Sequence, residues 1–213
     1  MKSEENIFSG NYLFHIHTIY TDGKLKVEDY FEFSKTHNLD KLIFLEHIRR
    51  ESDYDVSKFI GEIKNCVESY KIQALAGFET KILTDGTLDI SDNDLARADL
   101  LGIAEHGFPG DYSAYRNAFS KVIDRYSPLT RIKPVVWVHP GLWFIKNRLM
   151  SVKSHEYLEM IDIAQKNGLF IEQNFRYKLI ADDFKSSVPL SKLVLGVDAH
   201  THEHLDAWLK RSK

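Results

Sequence analysis

His15 and His17 stand two residues apart, and Asp22 follows five residues after the second, in Thr21-Asp22-Gly23. On an extended segment, side chains at i and i+2 point to the same face, so one cation can take both imidazoles. Further histidines and acids of ligand type are spread along the chain: His47, Glu79, His106, His139, Asp198 and His200. An isolated H-x-H pair is a weak signal, so the elements that carry the others decide whether this chemistry is real.

Apolar runs of strand length are expected at 12–17, 41–46, 72–80, 99–104, 135–139, 169–173 and 193–198. Helical periodicity covers 26–38, 56–70, 112–126, 153–167 and 203–210, and Val27, Tyr30, Phe31 and Ser34 give the first helix its inward stripe. Ser91 caps a short helix, Thr84-Asp85-Gly86-Thr87 reads as a hairpin, Pro128 and Pro134 bracket a connection, and Gly168 stops the fourth long helix. Seven strands with intervening helices imply an α/β parallel barrel or open sheet. The mostly continuous apolar strands fit a sheet covered on both faces. A chain of 213 residues without repeats or linkers reads as one domain, 1–213.

On this layout His17 ends the first strand, His47 the second and Glu79 the third. His106 follows the fourth, His139 ends the fifth, and Asp198 and His200 end the last. In a parallel barrel all C-terminal strand ends meet on one face, so these residues would converge there. His37 and His155 lack this placement and are expected at the surface. His202 and His204 fall where the last helix begins, and whether they touch a metal or substrate stays open.

A net charge of -3 gives no general pull toward nucleic acid or an anionic membrane, so any phosphate binding must be local. Cys66 is the only cysteine, which rules out an internal disulfide, disfavours a thiolate zinc site and fits a reducing cytoplasm. The first six residues are polar and acidic, unlike a signal peptide, and no apolar stretch approaches the roughly 20 residues that span a bilayer.

The ordered set resembles the PHP family, the polymerase and histidinol phosphatase superfamily of metal-dependent phosphoesterases. His15-Ile16-His17 with Thr21-Asp22-Gly23 is similar to its first motif, Leu45-Glu46-His47 to its second and Gly77-Phe78-Glu79 to its third. Val138-His139-Pro140 resembles its late histidine and Val197-Asp198-Ala199-His200 its terminal motif, while His106 sits where the family places a histidine after the fourth strand. One departure is Glu46, where the family usually has aspartate. That acid is not generally a direct ligand, so the exchange bears on the packing behind the ligands more than on metal binding.

The resemblance implies a distorted (β/α)7 barrel of TIM type and three divalent cations. It assigns His15, His17, Glu79 and Asp198 to one, Glu79, His106 and His139 to a second, and Asp22, His47 and His200 to a third, with Glu79 bridging the first two. Mixed imidazole and carboxylate ligands suit Zn²⁺, Mn²⁺ or Fe²⁺ better than Mg²⁺ or Ca²⁺. The expected chemistry is phosphate-ester hydrolysis by a metal-activated water, with Glu79, Asp198 and His200 at the reacting centre and His200 one candidate acid. Arg49, Lys81 and Arg176 stand where they could orient the phosphate. Glu172 and Asn174 face the same end, and Trp137, Trp143 and Phe144 either wall the site or pack the core.

The favoured substrate is a small phosphomonoester, such as histidinol phosphate or a nucleotide phosphate. A nuclease or phosphodiesterase acting on nucleic-acid ends ranks lower for want of a basic stripe. A protein-tyrosine phosphatase and a metal-stabilised binding module that does not turn over are the other readings. Oligomeric state is left open.

Overall fold

The computed structural model describes residues 7–211, so the polar segment 1–6 lies outside the described residues. Seven strands form a single sheet: β1 (Tyr12–Ile16), β2 (Lys41–His47), β3 (Gln73–Lys81), β4 (Leu100–Ala104), β5 (Val135–Trp137), β6 (Phe170–Asn174) and β7 (Leu193–Gly196). Their order in the sheet is their order in the chain, and every neighbouring pair is parallel.

The last strand returns to the first. Val197 N donates to Phe14 O, Ala199 N to His15 O and His17 N to Ala199 O, at 2.9, 3.0 and 2.9 Å, which nearly closes the barrel. Of the two arrangements open to the sequence, the chain takes the (β/α)7 barrel.

Helices fill the connections: α1 (Val27–His37), α2 (Val56–Tyr70), α3 (Asp92–Arg97), α4 (Tyr112–Tyr126), α5 (Leu142–Lys146), α6 (Ser154–Lys166), α7 (Asp182–Lys185) and α8 (His202–Arg211). Three of them start at short polar side chains that satisfy free N–H groups: Asp55 accepts from Lys58 N in α2, Ser91 from Asp94 N in α3 and Asp111 from Ala114 N in α4. Short α5 and α7 were not expected, because one turn carries no readable periodicity. Around Thr84–Thr87 the chain makes a tight turn closed by an isolated Ile82–Leu88 bridge. Among the described residues no helix is long and apolar enough to cross a membrane.

Two apolar layers follow from strand alternation. Phe14, Ile43, Leu45, Leu100, Ala104, Val136, Val138 and Val194 fill the barrel, with Phe8 packed against them. Leu13, Leu42, Phe44, Phe78, Leu101, Ile103, Val135, Trp137 and Ile171 face the helices. Strand positions two apart share a face, so Ile43 and Leu45 predict an inward His47, and Phe170 predicts inward Glu172 and Asn174. The sheet therefore aims its polar residues at the barrel mouth before any contact among them is considered.

Candidate metal centre

Glu79 is the hub of the mouth. It is buried, and its Oε2 lies 3.1 Å from His15 Nε2, 3.4 Å from His17 Nε2 and 3.5 Å from His47 Nδ1. Its Oε1 faces the other way, 3.0 Å from His139 Nε2 and 3.3 Å from His106 Nδ1. Asp198 Oδ1 approaches His17 Nε2 at 3.9 Å and His200 Nδ1 at 3.3 Å, and Asp22 Oδ1 joins His47 Nε2 at 3.4 Å and His200 Nε2 at 3.2 Å.

All nine residues of the expected ligand set are thus in one cluster. Their donor atoms fall into four overlapping groups: His15, His17 and Asp198; His15, Glu79 and His139; His47, Glu79 and His106; and His17, Asp22, His47 and His200. The expected third set is present whole, with His17 added. The expected second set is divided between two groups: His106 and His139 both approach Glu79 Oε1, but His139 groups with His15 and His106 with His47.

The way His15 and His17 enter the mouth differs from the simple alternation rule. Leu13 faces the helices, so an unbroken strand would put His15 and His17 on that side, outside the barrel. Instead His15 has φ of +65° and the pairing with β2 shifts between Phe14 and Ile16, opposite Ile43 and Phe44. This one-residue bulge returns Ile16 to the helix layer and turns His17 inward. His139 and Asp198 are also left-handed, at +31° and +55°, and the strands expected to reach them stop at Trp137 and Gly196. Each such conformation costs on the order of 1–3 kcal/mol, which the surrounding contacts must offset.

Glu172 supplies many of those contacts. Its Oε1 takes a 2.6 Å hydrogen bond from His15 Nδ1, and its Oε2 accepts from His139 N at 2.5 Å and Asn174 Nδ2 at 3.1 Å. A carboxylate only accepts, so His15 carries a proton on Nδ1, which leaves Nε2, 3.1 Å from Glu79 Oε2, as the atom a cation would take in place of a second proton. Asn174 Nδ2 also donates to Asp198 Oδ2 at 3.2 Å. Gly196 makes room for this arrangement, since a Cβ there would fall 1.7 Å from Glu172 Oε1. Gly196→Ala is therefore expected to displace Glu172 and lower stability by about 1–3 kcal/mol, as read from a urea denaturation midpoint. An unchanged midpoint would show that the carboxylate moves aside freely.

The electrostatics favour a cation. Burial alone would raise the carboxyls of Glu79 and Asp198, yet the imidazoles around them hold both below the usual range. Burial and neighbouring His47 push His17 well down, and burial brings His106 to about 3, so both are neutral at physiological pH. Both ring nitrogens of His17, together with Nδ1 of His106 and of His139, are buried without a hydrogen-bond partner. An unsatisfied buried polar atom costs about 1–3 kcal/mol, and the neutral rings of His17 and His106 facing ionised carboxylates are donors a divalent cation satisfies. At His15, His47 and His139, where burial lowers but neighbouring carboxylates raise the imidazole overall, a cation would take the place of a proton.

Beside the centre lies a cleft of about 450 Å³ bordered by Asp22, His47, Arg49, Tyr54, Lys81 and His106. Arg49 and Lys81 are thus at its wall, as expected. Arg176 is at the centre itself, its guanidinium 3.1 Å from both Asp198 Oδ1 and His200 Nδ1. His204 stands one layer back, where its Nδ1 accepts from His200 N at 3.1 Å, and His202 is exposed. His37 and His155 are at the surface. Trp137, Trp143 and Phe144 are buried in the core and wall no part of the cleft.

Three contributors escaped the sequence reading. Tyr177 sets its ring 6.0 Å from that of His139, and Tyr54 donates to His47 O at 3.1 Å; both lie on connections without periodicity. Glu105 is buried and accepts from Trp137 Nε1 and Trp143 N, both at 3.0 Å, and from the Tyr115 hydroxyl, which ties the His106 and His139 segments together. Its signal was an acid directly after the apolar Leu100–Ala104 run.

A family model described as the PHP domain matches residues 14–176. Among solved structures, one similar fold is a two-domain protein from Bacteroides vulgatus ATCC 8482 containing a predicted PHP-like metal-dependent phosphoesterase. The TM-score is 0.52 at 16% identity, over 95% of this chain and 55% of that one, a likeness of fold. The chain thus spans about half the length of that protein. No curated protein matches it.

Proposed function

Because the chain belongs to the PHP domain family, we propose that it is a metal-dependent phosphatase acting on a small phosphomonoester. The observation that carries the reading is the divided carboxylate of Glu79, whose two oxygens serve separate sets of imidazoles across one mouth. In this reading His15, His17, Asp22, His47, Glu79, His106, His139, Asp198 and His200 hold up to three divalent cations of the Zn²⁺, Mn²⁺ or Fe²⁺ type. When bound, such ions supply an ionised water near neutral pH and neutralise phosphoryl charge.

The chain's own residues do the rest. Glu172 and Asn174 fix the ring of His15 and the carboxylate of Asp198, so these two ligands are held in place before loading. Arg176 sits against Asp198 and His200, where its planar cation can take phosphate oxygens. Arg49 and Lys81 line the way out, where the leaving group would lie. The cleft volume falls within the range that encloses a small molecule.

Protein purified without chelator is expected to hydrolyse a generic aryl phosphate and to leave its bis-ester and single-stranded DNA intact. Chelation and desalting should abolish this turnover, and Mn²⁺ or Zn²⁺ should restore it. Cleavage of the diester or of DNA would move the assignment to a phosphodiesterase or nuclease. Turnover that survives chelation would remove metals from the reaction.

A further inference from the structure

Glu46 occupies the position where an aspartate is usual, and the structure shows what the longer side chain reaches. It is fully buried on the β2 face that carries Leu42 and Phe44, away from the barrel axis. Its carboxylate turns toward the segment linking β1 to α1. Oε2 accepts from Thr18 N at 2.8 Å and Thr18 Oγ1 at 2.5 Å, while Oε1 accepts from the Thr21 hydroxyl. The two oxygens of Glu46 thus hold two threonines at once.

Those threonines bracket a tight turn. Thr21 N and Gly23 N both donate to Thr18 O, at 3.1 and 3.0 Å, and a Cβ at Gly23 would lie 2.3 Å from His17 O. Asp22 sits on this turn with its side chain 57% exposed, and its carboxylate meets only the imidazoles of His47 and His200. Among the described residues no main-chain group bonds the Asp22 carboxylate, so its position is the position of the turn.

We propose that Glu46 is a positioning residue which, through Thr18 and Thr21, sets Asp22 in the group formed by His17, Asp22, His47 and His200, and that loading of this group with a divalent cation depends on it. The inference rests on the metal-dependent reading above. It concerns one of the overlapping groups; Glu46 Oε1 also lies 3.8 Å from His17 Nδ1, so Thr21→Val, which leaves that approach intact, is the variant specific to the turn.

Co²⁺ titration of chelator-stripped protein tests it, with visible absorption reporting each binding step and elemental analysis giving the final content. Asp22→Ala identifies the step that belongs to this group. Glu46→Gln and Thr21→Val are expected to weaken that same step by about 10–100-fold, with the other steps at wild-type affinity in Thr21→Val and less affected than that step in Glu46→Gln. The double variant should be no weaker than Glu46→Gln alone, because Thr21 acts through Glu46. Thr21 is an exposed loop residue, so its variant tests the idea even if Glu46→Gln does not fold. Wild-type binding in Thr21→Val, or equal weakening of every step in Glu46→Gln, would overturn the inference alone. Failure of the wild-type protein to take up Co²⁺ would overturn the metal-dependent reading with it.

Discussion

Glu79→Gln is expected to abolish turnover, by at least the 10²–10³-fold that follows loss of one preorganised electrostatic contact. The substitution keeps the volume and one acceptor oxygen but removes the charge that both sets of imidazoles share. His15, His17 and His47 lie on one side of that carboxylate and His106 and His139 on the other, so more than one binding step should fail together. Metal content measured beside activity makes the prediction sharp, since a lost rate with full loading would give Glu79 a different role. His17→Ala and Asp198→Ala should likewise lose activity while remaining folded by circular dichroism. His37→Ala, at an exposed site on α1, should change neither. Near-normal rates in His17→Ala or Asp198→Ala would count heavily against the assignment.

The second large effect concerns stability. Trp137 is completely buried on the outer face of β5, its ring 4.8 Å from that of Phe119 and 6.2 Å from that of Tyr157. Trp137→Ala opens a void worth roughly 3–5 kcal/mol. It also takes a donor from Glu105, a buried carboxylate, for about 1–3 kcal/mol more. Against a total stability of about 5–15 kcal/mol, that is enough to leave much of the protein unfolded at room temperature. Trp137→Phe keeps most of the packing and loses the N–H, so the two denaturation curves separate the contributions. A Trp137→Phe midpoint equal to that of the unsubstituted protein would mean that the hydrogen bond contributes nothing.

Much of this fold is legible in the sequence because its strands are buried on both sides. Continuous apolar runs such as Leu42 to Leu45 mark them, and the acids and histidines that interrupt each run mark the mouth. What could not be read is local backbone. Nothing in Tyr12-Leu13-Phe14-His15 announces that His15 turns left-handed, although that turn decides which way His17 points. His139 and Asp198 were placed inside strands for the same reason: their residue types suit a ladder that their φ angles leave. Gly196 and Glu172 lie on different strands, and their fit appears only when β6 and β7 are laid side by side.

The join between β1 and the segment after β7 has a consequence for how the protein comes into being. His15 and His17 are made before Asp198 and His200, and the main-chain bonds at 14–17 and 197–199 unite the two. A nascent chain can build its first six strands and still lack a complete ion cradle. Loading is thereby deferred until the segment after β7 has been made, and fragments truncated before Leu193 should never load fully, however well they fold.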